Sequence, residues 1–191
     1  FEISDFEKLR DFGKSVYLLN ALDLDDPYLN SYIEKGVKEK IDKRYLTSHR
    51  TPWYSIENRP PAPILVKVFN RSELKFVRNE AELYNLTAFH CIYLKDTAKS
   101  KIDILMAYLL TDIAKQIFDD NRRDYGHGLK KFEPNDLNNS LIIDLDKIDK
   151  ENENKIRDLL KQYKKNESEN KSIEKIKKDL EIIFMSYLTS I

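Results

Sequence analysis

Cysteine is almost missing from this 191-residue chain: Cys91 stands alone, which excludes an internal disulfide and makes a reducing cytoplasm the simplest home. Glycine is nearly as scarce, at positions 13, 36, 126 and 128 only. Neither a dinucleotide-binding turn nor a nucleotide-triphosphate loop can be assembled from that spacing, so no cofactor is expected on these residues. No apolar run approaches the roughly 20 residues of a membrane span, and no membrane partner is expected. An initiator Met, a signal peptide and a basic leader are also lacking, and the chain reads as a piece of a longer protein. Paired metal ligands are absent too. His90 and Cys91 are adjacent, but neighbours on a strand point to opposite faces, and His49 and His127 have no Cys or His at metal spacing. The acidic pairs Asp25-Asp26, Asp119-Asp120 and Asp144/Asp146 fall at helix ends or in polar loops, where solvation accounts for them. Neither a catalytic residue nor a metal site is assigned.

What is present is charge, unevenly spread. Lys plus Arg and Asp plus Glu are 33 each, and a net charge of zero ordinarily argues against nucleic acid. The distribution argues the other way. Residues 1–34 carry 3 basic and 8 acidic side chains, a net of −5, whereas residues 35–78 carry 11 basic and 4 acidic, a net of +7. Inside that basic stretch, Arg50-Thr51-Pro52-Trp53-Tyr54 through Arg59-Pro60-Pro61-Ala62-Pro63-Ile64 holds the only Trp and four of the six prolines. Each proline fixes its own φ and drives its predecessor toward extended geometry, so this segment is stiff without needing a ladder partner. Arginine forks and aromatic rings on a stiff backbone suit phosphates, base edges and stacked bases.

The periodicities give an α+β class, a small twisted sheet packed on helices with a C-terminal helical subdomain. Asp26-Pro27 reads as a cap with Pro at the first helical position, followed by Leu29, Tyr32, Ile33, Val37 and Ile41 at helical spacing. Residues 64–69 and 74–77 form a hairpin pattern about Asn70-Arg71-Ser72-Glu73, with a third strand at 87–94. Residues 102–118 are apolar on almost every side and read as one buried central helix. A glycine-bearing loop follows over 122–131, and two amphipathic helices, split by the polar run 164–172, close the chain. The expected division is an N-terminal helical segment over 1–48, an α+β core over 49–140 and a helical hairpin over 141–191.

Three segments in order carry a resemblance. Arg50, Pro52-Trp53-Tyr54 and Arg59-Pro60-Pro61-Ala62-Pro63-Ile64 form the most specific. Arg78-Asn79, Asn85-Leu86-Thr87 and His90 form the second, and Tyr125-Gly126-His127-Gly128-Leu129 with Glu133-Pro134-Asn135-Asp136-Leu137 the third. Together, over about residues 35–140, they resemble the C-terminal target-recognition region of bacterial N6-adenine DNA methyltransferases of restriction-modification systems. Two departures are plain: no Asn-Pro-Pro-Tyr-type motif or S-adenosylmethionine loop is present, and His127 stands where a third glycine is expected. The resemblance implies a bacterial, nucleoid-associated enzyme in which an N-terminal catalytic domain of the same polypeptide binds S-adenosylmethionine and methylates a flipped adenine. This chain would then choose which adenine in double-stranded DNA.

On that reading Arg50 and Arg59 meet base edges, Lys67, Arg71, Arg78, Lys130 and Lys131 meet phosphates, and Trp53, Tyr54, Asn79, Gly126 and Gly128 complete the DNA-binding set. Trp53 has a competing role as a packing residue, and the two glycines can equally serve a turn. Two rival functions remain open: a protein-interaction or regulatory module without DNA affinity, and a stand-alone nuclease-like enzyme using scattered carboxylates.

Overall fold

A computed structural model describes residues 1–21, 25–57, 59–70, 74–120, 123–124, 130–131 and 133–188. The chain divides at the proline cluster into two compact units, Ser4–Pro60 and Pro61–Ile191, the latter joined by Phe1–Ile3.

The first unit is helical. It contains most of α1 (Ile3–Asp11), all of α2 (Pro27–Lys38) and the single turn α3 (Tyr45–Ser48). The start of α2 follows from sequence: Asp26 is extended, and its carboxylate accepts from the amides of Tyr28 at 2.8 Å and Leu29 at 3.3 Å, with Pro27 at the first helical position. Leu29, Ile33 and Gly36 form the half-buried face of α2, yet no described residue of this unit is fully buried. A tight 3₁₀ turn, Ile41–Lys43, links α2 to α3, and its preceding Lys40 adopts a left-handed φ of 57°.

The second unit holds the core. Its main sheet is antiparallel, with β1 (Ile64–Lys67) in the centre between β3 (Phe76–Arg78) and β4 (Phe89–Ile92). The register sets Ile64 opposite Arg78 and Ile92, and Val66 opposite Phe76 and His90. Period-two alternation buries Ile64 and Val66 completely and leaves Lys67 exposed. Between β1 and β3, β2 (Phe69–Asn70) leaves this sheet and pairs with β6 (Lys130–Lys131), which also pairs with β5 (Arg123–Asp124). The run expected as one strand over 64–69 therefore ends at Lys67. Asn70 explains the bend locally, since its side-chain amide donates to the Lys67 carbonyl at 2.8 Å.

The expected single central helix is two helices, α4 (Ile102–Leu109) and α5 (Asp112–Asp120). Thr111 makes the break: its hydroxyl donates to the Tyr108 carbonyl at 2.6 Å and accepts from the Ala114 amide at 3.4 Å, capping α5. The Glu181 carboxylate accepts from the Asp112 amide at 3.1 Å at the same helix start. Beyond α6 (Pro134–Asn139), α7 (Lys150–Ser168) and α8 (Glu174–Leu188) form the hairpin. The polar run expected as their linker is mostly the last turn of α7. The helix ends one turn later, where Asn170 has a φ of 52° and Lys171 donates its amide to the Asn166 carbonyl at 2.8 Å.

Ile104 and Tyr108 of α4, Ile156 and Leu160 of α7, and Ile176, Leu180 and Phe184 of α8 close the core with Ile64 and Val66. Tyr108 and Phe184 meet edge to face, ring centroids 5.4 Å apart. Burial pushes the Tyr108 hydroxyl up to about 12. A helical tail on a small antiparallel sheet is an α+β fold, as the sequence patterns lead one to expect.

Candidate nucleic-acid interface

Within the Ser4–Pro60 unit, Arg50 folds the segment onto itself. Its guanidinium donates to the Ser55 carbonyl at 3.0 Å, and the Ser55 amide donates to the Pro52 carbonyl at 2.9 Å, across a cis Thr51–Pro52 bond. Trp53 packs against α2 at Gly36: a Cβ placed there would lie 2.9 Å from Cζ2 of the indole and closer still to Cη2. Only glycine admits the ring at that distance. Tyr54 stands edge-on to Trp53 at 5.6 Å, and both rings are half-buried. Arg59 is different. Its side chain is 58% exposed, and its guanidinium pairs with Glu57 at 3.0 Å, whose side chain is 51% exposed.

In the second unit Arg78 and Asn79 anchor the entry to β1. Arg78 donates through Nε to Asp103 at 3.1 Å and through a terminal nitrogen to the Pro63 carbonyl at 3.1 Å, while its own carbonyl accepts from the Phe1 nitrogen at 2.7 Å. Asp103 also pairs with Arg157 of α7 at 3.4 Å, which ties β3, α4 and α7 together. Asn79 is 2% exposed, and its amide nitrogen donates to the carbonyls of Ala62 at 2.9 Å and Leu83 at 2.8 Å. The Asn79 side-chain oxygen accepts from the Leu83 amide at 3.2 Å. Every hydrogen of that amide is therefore used inside the protein. The second resembling segment thus holds the end of the first: the carbonyls of Ala62 and Pro63 are gripped by Asn79 and Arg78.

Lys67 is exposed at the end of β1. Lys131 pairs with Glu133 at 2.6 Å and lies 5.8 Å from the centre of the Phe69 ring, opposite it across the β2–β6 ladder. The backbone of Lys130 pairs with Asn70. Glu133 then caps α6, its amide donating to the Asp136 carboxylate at 2.9 Å, with Pro134 at the first helical position. Arg71, Gly126 and Gly128, with the whole Tyr125-Gly126-His127-Gly128-Leu129 stretch, lie outside the described residues. Among the described residues no group of three or more His, Cys, Asp or Glu side chains could hold a metal ion, and no helix is long and apolar enough to cross a membrane. Cys91 donates its thiol to the Asn85 side chain at 3.2 Å. Sequence reasoning did not single out Asp103 or Gly36, the partners that fix Arg78 and Trp53. A lone acid in an apolar helix and a glycine inside a helical pattern were the available signals.

Residues 1–179 match the sequence family described as the C-terminal domain of the type II methyltransferase M.Eco57I. The chain belongs to this family. It is 57% identical to the type II methyltransferase M.AccI of Acinetobacter calcoaceticus over 166 residues, covering 86% of this chain and 31% of that protein. It is 29% identical to the type II methyltransferase M.XamI of Xanthomonas campestris pv. amaranthicola over 120 residues, covering 63% of this chain and 22% of that protein. The chain thus spans less than a third of the length of these curated relatives, as a C-terminal domain of this family would. No solved structure matches it.

Proposed function

We propose that this domain selects a specific double-stranded DNA sequence for an S-adenosylmethionine-dependent adenine-N6 methyltransferase of a restriction-modification system, acting at the bacterial nucleoid. The observation that carries the reading is the extent of the likeness: 57% identity to a methyltransferase, confined to 31% of it, over residues that hold neither an S-adenosylmethionine loop nor an Asn-Pro-Pro-Tyr-type motif. A part of such an enzyme without the chemistry is left with positioning the substrate. S-adenosylmethionine and the adenine pocket then belong to an N-terminal catalytic domain of the same polypeptide, and the four scattered glycines offer the cofactor no cradle here.

On this reading the candidate residues divide the labour. Arg59 presents an exposed fork just before the proline cluster and suits a base edge, where two parallel bonds to guanine are worth roughly 1–3 kcal/mol of discrimination. Lys67, Lys130 and Lys131, with Arg71, serve phosphates and set register. Arg50, Arg78 and Asn79 act as positioning residues, since each already grips a backbone carbonyl. Trp53 and Tyr54 stiffen the surface from beneath. A second reading, contact with another protein surface, is favoured by one observation: Phe12, Tyr17, Tyr28 and Tyr45 in the first unit are each more than three-quarters exposed. The catalytic domain is the natural claimant for part of that surface.

The test is fluorescence anisotropy of labelled duplex DNA titrated with the 191-residue chain at several salt concentrations. Weak binding whose log affinity falls with log salt, by about 0.9 per phosphate contact, is expected. Absence of binding at low salt, or binding indifferent to salt, overturns the DNA reading in favour of the protein-interaction one.

A further inference from the structure

The corner joining α2 to α3 carries a cluster of cations that none of the residues discussed above includes. Lys38, Lys40, Lys43 and Arg44 are all exposed, and none of their side chains makes an ion pair among the described residues. Two acids lie among them, and neither forms an ion pair with any of the four among the described residues. Glu39 pairs backwards with Lys35 of α2 at 3.8 Å, and one oxygen of Asp42 is buried. The corner is also tightly built. Lys40 occupies the left-handed region, and the Thr47 hydroxyl donates to the carbonyls of Ile41 and Arg44, clamping the 3₁₀ turn to α3. The His49 ring nitrogen Nδ1 donates to the Tyr45 carbonyl at 2.6 Å, and the two rings lie 4.9 Å apart. Four cations against two acids within these seven residues leave a net of +2, and a short clamped turn keeps the cations from spreading apart.

We propose that this corner is a phosphate-backbone anchor: Lys38, Lys40, Lys43 and Arg44 bind consecutive phosphates of duplex DNA and fix the domain's position without reading sequence. This inference rests on the DNA-recognition reading. Charge complementarity identifies the occupant, because a duplex presents a negative charge about every 1.7 Å of axis, and compact lysine ammonium groups suit phosphate rather than base edges. An acidic protein surface is the alternative occupant.

The experiment compares the 191-residue chain with K38Q/K40Q/K43Q/R44Q and with the charge-preserving K38R/K40R/K43R/R44K, by salt-dependent anisotropy on a cognate and a scrambled duplex. Circular dichroism establishes that both variants fold. The neutralised variant is expected to lose affinity for both duplexes by the same factor and to flatten the log–log salt slope by about 0.9 for each phosphate released, while the charge-preserving variant retains the slope. An unchanged slope in a folded neutralised variant refutes the anchor and leaves the DNA reading standing. Loss confined to the cognate duplex also refutes it, because the corner would then read bases. If the unmodified chain binds neither duplex, both proposals fall together.

Discussion

Replacing Asn79 with alanine removes the clamp on the entry to the central strand. Its amide makes three hydrogen bonds, to the carbonyls of Ala62 and Leu83 and from the amide of Leu83, at a position only 2% exposed. At about 0.5–1.5 kcal/mol net for each bond, and with the Ala62 carbonyl left in a buried setting, the expected loss is about 2–4 kcal/mol. Asn79→Asp separates geometry from volume. It keeps the acceptor for the Leu83 amide but aims a carboxylate at two carbonyls, and should be at least as damaging. Urea unfolding followed by far-ultraviolet circular dichroism measures both. Hydrogen exchange over residues 62–67 shows whether the damage is local, since protection there should fall before that of α7 and α8. If Asn79→Ala lies within about 0.5 kcal/mol of the unmodified chain, the clamp carries no weight and Asn79 becomes available for a DNA contact.

Gly36→Ala tests a contest of signs: alanine in a helix interior ordinarily gains up to about 1 kcal/mol over glycine, but the indole of Trp53 stands in the way, and overpacking costs about 1–3 kcal/mol. A net loss of stability with a shifted Trp53 fluorescence maximum is expected; a stabilised protein would show that Trp53 moves aside freely. Tyr187→Phe addresses pH. The Tyr187 hydroxyl donates to Asp149 at 2.5 Å and, as the largest cause, holds that carboxyl down at about 2. A depressed carboxyl pKa contributes stability above the unfolded value of about 3.9 and loses it as pH falls toward 2, so the variant should be weaker near neutrality and converge with the unmodified chain in acid. A difference that grows in acid would refute the assignment. Phe184→Ala should cost about 3–5 kcal/mol by chemical denaturation, because the ring is fully buried against Tyr108. Calorimetry should detect no micromolar binding of S-adenosylmethionine to this chain, and such binding would contradict the assignment of the cofactor to another domain.

Local chemistry is what the sequence made readable. Asp26-Pro27 marks the start of α2, Glu133-Pro134 that of α6, and the alternation Ile64, Val66 marks the buried face of β1, because each signal is complete within a few residues. The break at Thr111 was hidden by an apolar pattern that continues through it, although Thr-Asp is an ordinary helix start. The partners that fix Arg78 and Asn79, namely Asp103, Pro63 and Ala62, were not legible locally because they are between 15 and 25 positions away. The division of the chain falls at Pro60–Pro61, inside the segment that reads as one stiff surface. Proline fixes local backbone geometry, but it says nothing about which side of a boundary each residue packs on.

The most direct test is site selection by the full-length protein that carries this domain, proposed above to be a methyltransferase, comparing Arg59→Ala with Lys130→Ala and Lys131→Ala on the cognate duplex and each of its single-base variants. Arg59→Ala is expected to relax preference at one base pair by roughly 1–3 kcal/mol, while the lysine variants weaken methylation of every duplex alike and lessen its salt dependence. Equal loss on all duplexes for Arg59→Ala, with preference unchanged at every position, would contradict that expectation.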